Sequence, residues 1–247
     1  MDRLIYTAMS GASRLMEQQA AVAQNLANAN TTGYRASINT FRAVPLVGDG
    51  LPTRTFVVDS TSGSNFSQGP LQATGGNLDV AVQGSGWIAV QSADGSEAYT
   101  RNGNLQVGPG GTLQTLGGLN VEGDAGPITI PPNTQITIGK DGTISTVPSG
   151  NMPVPTTVVG RIKLTNPPAA QLVRGDDGLF RTKDGSTAAA DANVVLAPGN
   201  VEGSNVNTVG ALVDMISLAR MYDMQTQLMT NADNNEKTAS TVMQLTS

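Results

Sequence analysis

The chain of 247 residues contains no histidine and no cysteine. Without histidine it cannot build a Ser-His-Asp triad, a His-ligated zinc site or an imidazole switch near neutral pH. Without cysteine there is no disulfide, thiolate nucleophile, zinc knuckle or iron–sulfur ligand set. Aromatic residues make up 4% and charged residues 13%, while glycine occurs 29 times. Aromatics supply much of the mass of an ordinary enzyme core, so their scarcity points instead to an extended strand-and-turn protein packed with small residues. Basic residues are also few: 14 Lys and Arg against 19 Asp and Glu give a net charge of −5. That balance argues against a nucleic-acid surface, which needs a basic stripe to displace counterions.

Long apolar runs are missing as well. The opening residues, MDRLIYTAMSGASRLMEQQ, lack the basic start and apolar stretch of a cleaved signal. No segment approaches the roughly 20 apolar residues of a membrane span, so direct membrane insertion is not expected. The chain is expected either to stay in the cytoplasm or to leave it without a cleaved leader.

What is present divides the chain into three textures. From Asp2 to about Asn30 there is no proline, and Leu4, Ala8, Gly11, Leu15, Val22 and Ala29 recur at heptad spacing with Gln18 and Asn25 in register. Ile5, Ala12 and Leu26 flank that seam. From Gly203 to Ser247 proline is again absent, and Leu218, Met221, Leu228, Ala232, Ala239 and Val242 form a second seam, with Gln225 and Asn235 as polar members. Leu212, Met215, Ala219, Tyr222, Met229 and Met243 widen it, and Asn205 or Asn207 is placed to cap the helix. Both seams are too narrow for a broad globular face, so the two helices are expected to pair with each other or with neighbouring chains.

Between about Asn77 and Leu196, short runs such as LDVAVQ, WIAVQ, QITIG and VGRIKL alternate with glycine turns. Ala93-Asp94-Gly95-Ser96, Lys140-Asp141-Gly142-Thr143 and Lys183-Asp184-Gly185-Ser186 read as three hairpins with primed turns. The segment 34–76 carries Pro45, Pro52 and Pro70 but also Phe41, Val44, Phe56 and Val57-Val58, which suits extended chain packed against something. The expected architecture is α+β: terminal helices 1–33 and 203–247 paired as a coiled coil, an extended arm 34–76, and a central all-β domain with its return segment, 77–202, looped out between them.

Motifs with catalytic potential are weak. Gly84-Ser85-Gly86 and Gly108-Pro109-Gly110-Gly111 do not run from a strand into a helix and no Gly-Lys-Ser/Thr follows, so they read as turns. Asp176-Asp177 with Asp184 is the best candidate carboxylate set for a hydrolase, but Asp-Asp-Gly also looks like a turn. The Asp-Gly turns lack the clustered oxygen ligands of a calcium loop. No metal, cofactor or catalytic residue is expected. Trp87, the single tryptophan, is expected to plug the β core. The densest signal is Asn25-Leu-Ala-Asn-Ala-Asn-Thr-Thr-Gly-Tyr-Arg35, where Gly33 suits a helix stop. That role leaves Asn25 and Asn28 unexplained, since asparagine is a poor helix former, and their amides are expected to bond a neighbouring backbone.

Three blocks carry a family resemblance: Ala23 to Arg35; Leu78-Asp-Val-Ala-Val-Gln-Gly-Ser-Gly-Trp87, followed by Tyr99-Thr-Arg-Asn-Gly103 and Asp141-Gly-Thr-Ile-Ser145; and Glu202-Gly-Ser-Asn-Val-Asn207, running into Met215-Ile216 and Arg220-Met-Tyr-Asp223. In this order they make the chain resemble the axial proteins of the bacterial flagellum, the basal-body rod protein family, and its proximal members more than its distal ones. The resemblance implies a non-enzymatic subunit of the proximal rod, a drive shaft that crosses the periplasm and transmits torque. It implies export through the flagellar type III apparatus without a cleaved signal, and polymerisation with itself and with other proximal and distal rod proteins. The subunit-packing residues would be Leu4, Ala8, Leu15, Val22, Leu26, Leu218, Met221, Tyr222 and Leu228, with Asn25, Asn28 and Asn205 setting register at the helix ends. A secreted β-rich adhesin or scaffold is the reading from another class, but it has no need of complementary seams at both termini.

Overall fold

The computed structural model describes residues 2–45, 55–148 and 155–245. It resolves into two compact units. The first comprises residues 1–29, 37–65 and 206–247, and the second residues 30–36 and 66–205. The expected arm is therefore divided: residues 37–65 belong with the helices, and 66–76 with the strands.

In the first unit, α1 (Asp2–Ala27) and α2 (Thr208–Leu245) run 26 and 38 residues, about 39 and 57 Å at 1.5 Å per residue. Asn207 caps α2, its Oδ1 accepting the Gly210 amide at 3.1 Å while its carbonyl accepts that of Ala211. The helices pack on each other, and the residues buried there are mostly alanine: Ala8 and Ala12 on α1, Ala211, Leu218 and Ala232 on α2. Such small side chains let two backbones approach closely. Gly11 fits the same logic, since a Cβ there would lie 2.9 Å from Gln225 Nε2. β1 (Ser37–Pro45) pairs antiparallel with β2 (Thr55–Ser64), with an irregularity between Thr40 and Phe41. Within the segment expected as an extended, packed arm, these two strands satisfy each other's backbone. Phe56 and Val57-Val58 lie on β2, and their side chains fall outside the described residues, as does Pro52.

The second unit is all-β. Its centre is a five-stranded antiparallel sheet ordered Leu164–Thr165, Trp87–Gln91, Glu97–Thr100, Phe180–Thr182, Leu172–Arg174. A three-stranded sheet is built from Thr134–Ile138, Thr143–Pro148 and Thr157–Arg161. The first and last strands of the unit meet: Leu71–Ala73 pairs with Asn200–Glu202, and Val80–Gln83 with Val195–Pro198. Alternation along Trp87–Gln91 separates two cores. Ile88 and Val90 face an aliphatic cluster with Val80, Leu113, Ile144 and Leu196, whereas Trp87 and Ala89 face a small aromatic one with Tyr99, Leu172 and Phe180. Trp87 and Phe180 stand 4.6 Å apart between ring centres, and Phe66 meets Trp87 edge-on at 5.9 Å. Trp87 thus sits in the β core as its sequence context suggests.

One turn recurs. At 92–96, 108–112, 115–119, 139–143 and 175–179 the first residue's amide donates to the fifth residue's carbonyl, and the fourth residue's amide donates to the first residue's carbonyl. The fourth residue is always a glycine, with φ between +76° and +84° (Gly95, Gly111, Gly118, Gly142, Gly178). This is a type I turn closed by a left-handed glycine, and it corrects the expected primed turns, which need positive φ at the aspartate as well. Asp94 and Asp141 instead spend their carboxylates inside their own turns, accepting the amide and hydroxyl of Ser96 and Thr143. The third expected hairpin, at Asp184-Gly185, turns the chain without joining two paired strands. There the Ser186 amide donates to the Asp184 carboxylate and that of Ala188 to the Tyr99 hydroxyl at 2.6 Å.

Burial, ahead of the neighbouring Glu97, pushes the Tyr99 phenol up to about 12 from the usual value near 10. The folded protein therefore holds this proton more tightly than the unfolded chain. That stabilisation is complete below about pH 10 and fades as pH rises toward 12. Urea unfolding followed from pH 9 to 12 should show stability falling with pH, and Tyr99→Phe should flatten that slope.

Candidate functional site

No cluster of three or more acidic side chains able to hold a metal occurs among the described residues, and no described helix is long and apolar enough to cross a membrane. Two of the three carboxylates considered for catalysis, Asp177 and Asp184, are engaged in local contacts. Asp177 forms an ion pair with Arg181 at 2.6 Å and accepts the Leu179 amide; the Arg181 hydrogen bond leads in holding it below the usual carboxylate range. Asp184 is lowered chiefly by its hydrogen bond from Ser186, within its own turn. Neither arrangement leaves a paired acid and base across a cleft.

The sequence's densest block leads instead to a buried charge cluster in the β unit. Glu202 is fully buried and faces two buried guanidiniums: Arg35 Nη1 lies 2.6 Å from Oε1, and Arg101 Nη1 donates to Oε2 at 2.9 Å. The Gly69 amide also donates to Oε1 at 2.9 Å. Arg101 is held further by donation from Nη2 to the Gly84 carbonyl at 2.7 Å and from Nη1 to that of Val82. The Arg35 contact has ion-pair distance without hydrogen-bond alignment, so none of its three guanidinium nitrogens makes a hydrogen bond. Both cations lie near Trp87, with Arg101 5.4 Å and Arg35 6.0 Å from the ring centre. Desolvation, then the other guanidinium, lowers the Arg101 pKa against the pull of Glu202.

Backbone geometry brings these charges together. Gly33 donates its amide to the Glu202 carbonyl at 2.7 Å and has φ of +71°. A Cβ on Gly33 would stand 2.4 Å from the Arg101 carbonyl carbon and the Asn102 nitrogen, so glycine is needed there for close approach as well as for its turn. Asn205 adds two stitches: Oδ1 accepts the Ala36 amide at 2.7 Å and Nδ2 donates to the Ser67 carbonyl at 2.9 Å. Asn205 therefore does not cap α2.

In the helical unit, Asn25 grips the Ser37 backbone at two points, accepting its amide at 2.8 Å and donating to its carbonyl at 2.9 Å. Asn28, one residue past the end of α1, donates to the Gln24 carbonyl in the last turn of the helix. Among the half-buried and buried residues, one line on α1 runs through Ile5, Ala8, Ala12, Leu15, Gln19, Val22 and Leu26, and one on α2 through Ala211, Met215, Leu218, Tyr222, Gln225, Met229 and Ala232. Both sets step by three and four. Gln225 Nε2 donates to the Ala8 carbonyl at 3.1 Å, so a polar seam residue bonds the other helix's backbone. Met221 and Leu228 lie off this line and are exposed, whereas Ala8 and Leu218 are buried within the unit. Leu4 lies on α1, but its side chain is outside the described residues. Further apolar side chains stand in the open: Tyr6, Met9 and Met16 on α1, Leu212, Val213, Ile216 and Met224 on α2, with Ile216 at 56% exposure.

Residues 5–35 match the family described as "Flagella basal body rod protein", 81–146 the "Flagellar hook protein FlgE/F/G D1 domain", and 197–242 the "Flagellar basal body rod FlgEFG protein C-terminal". The chain is 47% identical to the flagellar basal-body rod protein FlgF of Salmonella typhimurium, over 99% of this chain and 100% of that one. The chain belongs to the flagellar basal-body rod protein family. It is 46% identical to FlgF of Escherichia coli over the same shares, and 32% identical to the rod protein FlgG of Agrobacterium fabrum over 94% of this chain and 95% of that one. Within this rod protein, the charge cluster draws one member from each matched segment: Arg35, Arg101 and Glu202. Sequence reasoning placed all three in its family blocks but gave them no role. The available signal was sparseness, since each is a lone charge among small and apolar neighbours.

Replacing Glu202 by Gln would leave two buried guanidiniums without a counter-ion and should cost about 3–5 kcal/mol in urea unfolding. Asn25→Ala should cost about 1–2 kcal/mol, and hydrogen exchange should show the Ser37 amide losing protection.

Proposed function

We propose that this protein is a structural, non-enzymatic subunit of the proximal rod of the flagellar basal body. It polymerises with other copies and with related rod proteins to carry torque across the periplasm. The reading is carried by the apolar side chains that the paired helices leave outside the subunit, on a chain whose relatives are rod proteins. Val213, Ile216, Met224 and Leu228 expose more than half of their area, and Leu212 49%. Apolar surface arranged along one helix marks a protein–protein interface.

In this reading the subunit's own pairing uses the alanine-rich seams in coiled-coil fashion, while the outer residues meet neighbouring subunits. Small residues on several faces suit the heterologous, non-closing contacts that an open helical polymer requires. Leu15, Val22, Leu26 and Tyr222 hold the helix pair, Met221 and Leu228 face the polymer, and Asn25 fixes where the chain leaves α1. Export proceeds through the flagellar type III apparatus without a cleaved signal, and neither nucleic acid nor membrane insertion is involved. Greater identity to FlgF than to FlgG relatives favours a proximal over a distal position.

In a strain lacking the chromosomal gene, Ile216→Asp or Met224→Asp should abolish swimming and leave purified basal bodies without a complete rod. The same purified subunits should melt within about 4 °C of the parent, since exposed substitutions barely alter stability. Normal swimming by both variants would exclude this face from assembly.

A further inference from the structure

A cavity of about 390 Å³ opens beside the charge cluster, within the β unit. Arg101 lines it together with Trp87 and Phe66, and Pro167, Pro168 and Leu172 complete an apolar wall. Ser85 lines it from the Gly84-Ser85-Gly86 turn, and the exposed Gln68 and Asn166 bring amides to its edge. Among the described residues that line it, none is acidic.

The charge count beside this cavity is unbalanced. Arg35 and Arg101 are 1% and 4% exposed and share a single carboxylate, leaving one positive charge in excess in a dry environment. Arg101 Nε and all three Arg35 guanidinium nitrogens are buried without a hydrogen bond. A buried charge without a counter-ion is costly, and its field is poorly screened toward a cleft with low-dielectric walls. The volume lies at the lower end of ligand pockets and exceeds what a bare small anion fills, while the aromatic and proline wall favours carbon over water.

We propose that this cavity receives an acidic side chain carried on an extended peptide segment of a partner protein. The carboxylate answers the excess guanidinium charge, while the methylene and backbone of the segment lie against Trp87, Phe66 and the prolines. This goes beyond assembly through the helices, and it stands or falls independently of the rod reading.

Trp87 is the only tryptophan in the chain, so its fluorescence reports directly on the cavity. The full-length subunit would be titrated with N-acetyl-Ala-Glu-Ala-amide, N-acetyl-Ala-Gln-Ala-amide and sodium acetate, each to about 20 mM, a range that captures millimolar affinities. The glutamyl peptide should shift the emission saturably and bind at least about tenfold more tightly than the glutaminyl peptide or acetate. Arg101→Gln leaves Arg35 and Glu202 as a balanced pair and should abolish the response. Ala169→Phe, which narrows the mouth from an exposed turn without touching the charges, should weaken it at least about tenfold while leaving thermal unfolding unchanged. Equal binding of the two peptides, or an undiminished response in both variants, would overturn the proposal. So would acetate binding as tightly as the peptide, which would make this a site for small anions, or the absence of any saturable response.

Discussion

Glu202 holds the β unit together at the one place where its beginning, middle and end coincide. Its carboxylate takes in Arg35, Arg101 and the Gly69 amide, while its carbonyl accepts the Gly33 amide. Segments more than 160 residues apart in sequence are thereby forced into contact, and Asn205 repeats the stitch by binding Ala36 and Ser67. Hydrophobic burial could not specify this junction so narrowly, because Val, Ile and Leu side chains exchange places at low cost. A buried ion cluster tolerates one arrangement, since any other leaves a charge desolvated and unmatched. The strict need for glycine at position 33 follows from the same closeness.

Around that junction the β unit saves on large side chains. Its aromatic mass is concentrated in Phe66, Trp87, Tyr99 and Phe180 on one side of the central sheet, and the other side is filled by aliphatic residues. The three-residue turn closed by glycine recurs along the edges, and at Asp94 and Asp141 it satisfies its own polar groups through the aspartate. Such turns need little support from the core, which lets a low-aromatic sequence hold many short strands.

The helical unit works by a different economy. Alanine-rich seams bring α1 and α2 close enough for Gln225 to bond the Ala8 backbone. Close approach buries little apolar area per residue, and several large apolar side chains consequently remain outside. Apolar side chains left outside in this way mark the surface as one that another protein can cover.

Periodicity alone was enough to mark two terminal helices and a glycine-punctuated β domain, because these are properties of local sequence. The three-four spacing marked Ala8, Leu15, Val22, Leu218 and Tyr222, which lie on the more buried lines, and also Met221 and Leu228, which are exposed. Positions three and four residues on lie about 60° and 40° to either side of the first at 3.6 residues per turn, and only the direction of the partner helix decides between them. The self-pairing of Ser37–Pro45 with Thr55–Ser64 was hidden for a similar reason: a strand's partner is not encoded in its own alternation. Asn25 announced that its amide must bond something, but not that it would grip Ser37, and Asn205, expected as a helix cap or register residue, instead bonds Ala36 and Ser67. Least legible was the Arg35–Glu202–Arg101 cluster. Single charges far apart in sequence carry no mutual signal, and it is the folded backbone that buries them together and makes their pairing compulsory.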